Sequence, residues 1–98
     1  MTTPALIVGL AWYRAEEYSA IRRIMADGHK FAGTFNEWRR IAEGIEQNLR
    51  RDGQTVVRAI IDPKTFPEWC RARGLNVDAQ ARMDFANAIA YEHTRSLH

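Results

Sequence analysis

Asp52-Gly53-Gln54-Thr55-Val56-Val57-Arg58-Ala59-Ile60-Ile61-Asp62-Pro63 decides how this chain is read. Its centre, Thr55 to Ile61, is rich in β-branched residues and almost continuously apolar, the composition of a largely buried strand. Asp52-Gly53 stops the element before it, and Asp62-Pro63 ends the strand itself. Arg58 is the lone charge inside. A guanidinium at such a place can grip a carboxylate or phosphate through two parallel hydrogen bonds, or it can sit on the solvent side and pair with Asp62 or a helix carboxylate.

The segments on either side repeat one pattern. Thr34-Phe35-Asn36-Glu37-Trp38-Arg39-Arg40 returns as Thr65-Phe66-Pro67-Glu68-Trp69-Cys70-Arg71, a shared Thr-Phe-x-Glu-Trp-x-Arg frame. Each copy has the form of a helix start, with a threonine N-cap and a glutamate three residues on that reaches back. Phe and Trp, three apart, share one helical face and are expected to pin their helix onto the core. The first copy opens a long helix from about Phe35 to Arg51, with Trp38, Ile41, Ala42, Ile45 and Leu49 on its core face. Arg39, Arg40, Glu43, Glu46, Arg50 and Arg51 occupy the other face, where Arg39 with Glu43 and Glu46 with Arg50 pair one turn apart. The second copy opens a short helix, Phe66 to Arg73, which tolerates Pro67 in its first turn and stops at Gly74.

Upstream, Ala5 to Tyr13 is the other strand, and its faces differ: Leu6, Val8, Leu10 and Trp12 are large, whereas Ala5, Gly9 and Ala11 are small. The large face is expected to bear the core. The small face is expected to be lightly covered, with room for another backbone or a ligand. Arg14 to Ala26 reads as a helix with Tyr18, Ile21 and Met25 as its apolar stripe, followed by a loop from Asp27 to Gly33. Downstream, Asn76 or Asp78 caps an alanine-rich helix that runs to about His93 or Thr94. Met1 to Pro4 reads as a loose lead-in and Ser96 to His98 as a fraying end.

The order is therefore β-α-α-β-α-α. If the first two helices form an antiparallel hairpin that returns along the first strand, the second strand runs antiparallel to the first. The expected fold is a single α+β domain over residues 1–98, a two-stranded antiparallel β ribbon packed with four helices. Such a ribbon is marginal alone. A homodimer that extends the sheet, or buries the alanine-rich helix, is the expected remedy.

At 46% hydrophobic and 27% charged, the composition is that of an ordinary globular domain and argues against disorder. A net charge of +2 provides no strong field for nucleic acid or anionic lipid. The arginine pairs at 22 and 23, 39 and 40, and 50 and 51 are accompanied by balancing glutamates, so nucleic-acid binding is expected to be weak if present at all. The single cysteine excludes an intramolecular disulfide framework and a cysteine-based zinc site. The N-terminal apolar run lacks a basic leader and falls well short of the about 20 residues of a membrane span. A cytoplasmic protein without a membrane partner is the resulting expectation.

Cys70 follows Trp69 in the first turns of a helix, where the dipole favours a thiolate. Its base would have to be His29 or His93. His29, His93 and His98 share no metal-ligand spacing. There is no glycine-rich phosphate loop and no familiar hydrolase motif, so no cofactor is implied. Arg58, Cys70, His29 and Trp69 are the candidate binding residues, and a site is expected beside the second copy of the repeated frame, which follows the strand that bears Arg58.

Taken together, the strand running into Ala11-Trp12-Tyr13, the segment Thr34 to Trp38, Ile61-Asp62-Pro63, and Phe66-Pro67-Glu68-Trp69-Cys70 with Gly74-Leu75 resemble a family of short bacterial proteins of about this length that carry no assigned activity. The resemblance implies a bacterial, cytoplasmic, stand-alone domain. The function expected is that of an interaction or accessory module acting as a homodimer and open to a protein partner. A small-ligand binder or enzyme using Arg58, and a weak nucleic-acid-binding module, are the alternatives.

Overall fold

The computed structural model describes residues 6–96. In order they form β1 (Ile7–Trp12), α1 (Tyr18–Ile24), α2 (Phe35–Arg51), β2 (Thr55–Ile60), α3 (Phe66–Ala72) and α4 (Ala79–Ser96), with short 3-10 turns at Ala15–Glu17 and Gly28–Lys30. This is the predicted β-α-α-β-α-α order. The lead-in expected over Met1 to Pro4, and Leu97 and His98 of the expected frayed end, lie outside the described residues; Ser96 is still helical.

The strands pair in parallel, not antiparallel, with Ile7 beside Thr55, Gly9 beside Val57 and Trp12 beside Ile60. The expected antiparallel ribbon is thus corrected, and the reason lies in which helix makes the return. α1 has only seven residues, about 10 Å of rise, and stays at the carboxyl end of β1, where Tyr18 packs on Tyr13. α2 starts at that same end, with Trp38 against Trp12, and its 17 residues span about 25 Å, more than the about 20 Å of a six-residue strand. One helix therefore carries the chain back, and β2 sets out in the direction of β1.

Alternation along the strands puts Trp12 and Arg58 on the face covered by α2, and Gly9, Ala11 and Ala59 on the opposite face, under α4. The large face is covered as expected, with Trp12 buried, but the small face is not lightly covered: it takes the closer contact, the room for a backbone that its glycine and alanines offer. A Cβ placed on Gly9 would lie 1.9 Å from the Ala86 carbonyl oxygen, so the small face is where a helix backbone rests directly on the sheet. α4 buries Ala81, Ala86 and Ala90. Bulk is supplied further along, where Ile21, Ile61, Phe66 and Cys70 are fully buried beside Tyr13, Tyr18 and Met25. Phe66 and Trp69 join α3 to Phe85 of α4, while Phe35 and Trp38 lean on Tyr18, so both aromatic pairs act as the anchors their spacing predicts.

The repeated frame is capped in two different ways. Thr34 Oγ1 accepts the Glu37 N–H at 3.1 Å, as predicted. Thr65 already has helical backbone angles and accepts no cap bond through its side chain. Asp62 Oδ1 takes that duty, accepting the Lys64 N–H at 2.7 Å and the Thr65 N–H at 3.4 Å, with Pro63 in the first position of the turn. Asp78 caps α4 through the Ala81 N–H at 3.0 Å, and Gly53, at φ +87°, closes α2. Thr34→Ala and Asp62→Ala are each expected to cost about 0.5–2 kcal/mol in urea unfolding. Thr65→Ala should stay within about 0.5 kcal/mol. Equal losses at Thr34 and Thr65 would contradict the unequal caps.

Candidate functional site

Arg58 sits in the middle of β2, and the pleat turns its side chain toward α2. Its Nε donates to Glu46 Oε2 at 2.7 Å and its Nη2 to Glu46 Oε1 at 2.9 Å, while the guanidinium carbon lies 3.9 Å from the Trp12 ring centroid. Fork and flat face are both taken by the protein itself. The partner is a helix carboxylate, not Asp62. Glu46 is only 4% exposed, a charge that the heptad pattern had assigned to the solvent face of its helix. Arg58's hydrogen bonds hold the Glu46 carboxyl below the usual carboxylate range, against the opposing effect of burial, with help from Arg50 at 3.5 Å.

The remaining sequence candidates lie apart from this pair. Cys70 is fully buried in the core, and burial pushes its thiol up, outweighing the lowering expected near a helix start. Trp69 lies between Phe66 and Phe85 under the Arg73 guanidinium, whose carbon is 4.1 Å from its centroid. His29 is exposed, lining a shallow basic depression of about 340 Å³ with Ser19, Arg22 and Arg23. No contact links Arg58, Cys70 and His29, so the structure does not assemble them into one pocket.

A second salt link escaped the sequence reading altogether. Arg82 of α4 donates to both oxygens of Asp27 at 2.8 Å each, across 55 residues of chain, and its guanidinium carbon stands 4.9 Å from the Phe31 centroid. Arg82's hydrogen bond lowers the Asp27 carboxyl's pKa. Beside it, at the carboxyl end of β1, Tyr13, Lys30, Phe31, Trp38 and Ile41 line a hollow of about 250 Å³. Burial pushes the Tyr13 hydroxyl up to about 12, so it remains a neutral donor across the physiological range. Such a hollow can accept the edge of a flat ring, but its strongest cation is already bidentate to Asp27, which leaves Lys30 as the cation for an anion. No local pattern marks Asp27 and Arg82 as partners.

An apolar groove follows the outer edge of β1, whose residues Ile7 to Ala11 are partly exposed. Val8, Gly9, Leu10 and Ala11 line a groove of about 380 Å³ along that edge, roofed by Met83 and Ala86 of α4. On the other side of the strand, α2 turns Ile41 and Ile45 outward, at 60% and 45% exposure, and Met83 and Leu6 are likewise exposed. Among the described residues no group of three or more His, Cys, Asp or Glu side chains is placed to hold a metal ion, and no helix is long and apolar enough to cross a membrane. Comparison with family models, curated proteins and solved structures finds no match, so the geometry of the chain itself carries the functional reading.

Two tests separate clamp from chemistry. Arg58→Ala strands a buried carboxylate and uncovers Trp12, at an expected cost of about 2–4 kcal/mol in urea unfolding at neutral pH. Glu46→Gln should cost less, because the half-exposed guanidinium can turn to water. Since the Glu46 pKa is depressed by folding, its contribution is present above the ordinary carboxylate pKa of about 4.3 and is lost as pH falls through the folded value. The Glu46→Gln variant should therefore lose less stability than the parent between neutral pH and the acid range; parallel curves would refute the clamp. Cys70 should react with a thiol-disulfide reagent only as fast as the chain unfolds, and rapid modification of the folded protein would contradict its burial.

Proposed function

We propose that the chain is a small protein-interaction module that acts as a homodimer in the bacterial cytoplasm, two copies meeting along the apolar surface at the edge of β1. The bacterial and cytoplasmic parts of this reading rest on the sequence resemblance. The dimer rests on one observation: Leu6, Ile41, Ile45 and Met83 are four of the six exposed large hydrophobics among the described residues, with Leu6 leading into β1, Met83 over its groove and Ile41 in the hollow at its carboxyl end. Complete burial of one such side chain is worth about 1.5–3 kcal/mol, so this surface holds the largest hydrophobic driving force that the fold leaves unsatisfied.

A ligand-binding or enzymatic role through Arg58 is less favoured, because Glu46 and Trp12 already occupy its guanidinium. Nucleic-acid binding is disfavoured for a similar reason, since Arg39 and Arg50 lie against Glu43 and Glu46.

Light scattering at high micromolar concentration should return twice the chain mass of 11.3 kDa. An Ile41→Glu, Ile45→Glu double variant should return the single-chain mass with an unchanged far-ultraviolet spectrum, because both side chains are already exposed. A clean 11.3 kDa for the parent protein would sink the dimer.

A further inference from the structure

The ladder between the strands fixes which backbone groups of β1 are unpaired. The Thr55 N–H donates to the Leu6 carbonyl at 2.8 Å and the Ile61 N–H to the Trp12 carbonyl at 2.9 Å, with the register continuous between them. Leu6, Val8, Leu10 and Trp12 therefore turn their backbone groups toward β2. Those of Ile7, Gly9 and Ala11 point to the outer edge, into the groove beneath Met83.

The two outer edges of the sheet are not equivalent. β2 carries Arg58 at its middle and is followed by Asp62 and Lys64, the kind of charge that discourages another strand. β1 from Leu6 to Trp12 has neither charge nor proline, and its register is unbroken by a bulge. It lacks the charge, proline and bulge that commonly protect an edge, and α4 roofs it from one face only.

Resting on the homodimer reading above, we infer that the joint is an antiparallel pairing of β1 with β1 of a second copy, its two-fold axis passing beside Gly9, which makes one four-stranded sheet in the order β2, β1, β1, β2. In that register Gly9 faces Gly9, and Ile7 faces Ala11 of the other copy, so every outward N–H and C=O of these residues is paired. On the α2 face Val8 lies across from Leu10 and Leu6 across from Trp12. On the α4 face the crossing residues are Gly9 with Gly9 and Ile7 with Ala11, and the α4 backbones resting on the two Gly9 residues lie side by side across the axis. A register centred on Leu10 would instead set Leu6 across from Arg14.

The occupant is a second copy and not an isolated peptide strand. A lone strand would fill the groove yet leave Ile41 and Ile45 of α2 in water, whereas a folded copy brings its own Ile41 and Ile45 to meet them. β1 itself carries no charge, and Arg82, which also lines the groove, is paired with Asp27, so identical edges approach without an uncompensated like charge.

Cysteine cross-linking reads the register directly. Val8 and Leu10 of opposite copies form a non-hydrogen-bonded pair with Cα atoms about 4.5 Å apart, inside the range of a disulfide, whereas Val8 with Val8 is a diagonal too distant to bridge. Val8→Cys and Leu10→Cys chains are co-refolded, oxidised with copper-phenanthroline and run on non-reducing gels; buried Cys70 stays in place. The mixture should give cross-linked dimer in about half of its molecules, the statistical share of mixed dimers, and either variant alone should give none. Cross-linking of Leu10→Cys alone, or of Val8→Cys alone, overturns the register. A dimeric mass without any cross-link overturns edge pairing and leaves the homodimer intact. A monomeric mass for the parent chain overturns both.

Discussion

The absence of a side chain at Gly9 is the constraint on which this fold depends. A Cβ there would sit 1.9 Å from the Ala86 carbonyl oxygen and 2.6 Å from its carbon, both backbone atoms that no rotamer change can move away. α4 can therefore lie on β1 only because that strand has a flat place, and only because α4 offers alanines to meet it. Close approach of this kind replaces interdigitated large side chains with backbone contact, and dispersion at short range does part of the work that bulk does elsewhere. The bulk is concentrated instead at the carboxyl ends of the strands, around Ile21, Ile61 and Phe66.

The opposite face is governed by a charge. Glu46 turns inward to meet Arg58, and that bidentate contact sets the roll of α2 about its axis. With Ala42 and Glu46 directed at the sheet, Ile41 and Ile45 are carried to one flank, although the apolar stripe of the helix includes them. An apolar residue in place of Glu46 would tolerate a wider range of rolls. The ion pair is thus less a source of net stability than a means of fixing orientation, and what it fixes is the exposure of two isoleucines beside the β1 edge.

Local chemistry in the sequence identified most elements and several of their ends. Thr34 and Asp78 cap as their positions suggest, Gly53 stops α2, and the Phe and Trp of both repeated frames reach the core. Three features could not be read so directly. Strand direction depends on how many helices span the sheet, and α1 proved too short to count as one. The small face of β1 was expected to be only lightly covered because large residues usually mark the inside, a rule that fails where a helix backbone needs a flat seat. Thr65 lost its cap to Asp62 three residues earlier, since Asp-Pro starts a turn more strongly than the copied threonine. Arg58 was visible as an anomaly, but Glu46 and the Asp27–Arg82 link lacked any local mark, because both depend on residues brought together only by the fold.

These constraints converge on one strand. Gly9 admits α4 on one face of β1, the Glu46–Arg58 pair rolls α2 on the other, and between them an uncharged edge is left open with exposed isoleucine and methionine beside it. Each feature has its own local cause, yet changing any one would alter the edge: a side chain at Gly9 displaces the roof, and a different roll of α2 moves Ile41 and Ile45. Soluble proteins usually shield such an edge with charge, a bulge or a covering element. β2 has the charge; β1 has neither charge nor bulge and is roofed from one face only, although a single lysine at Leu10 would supply the charge within the same strand pattern. The dimer proposed above is the reading under which this edge is covered.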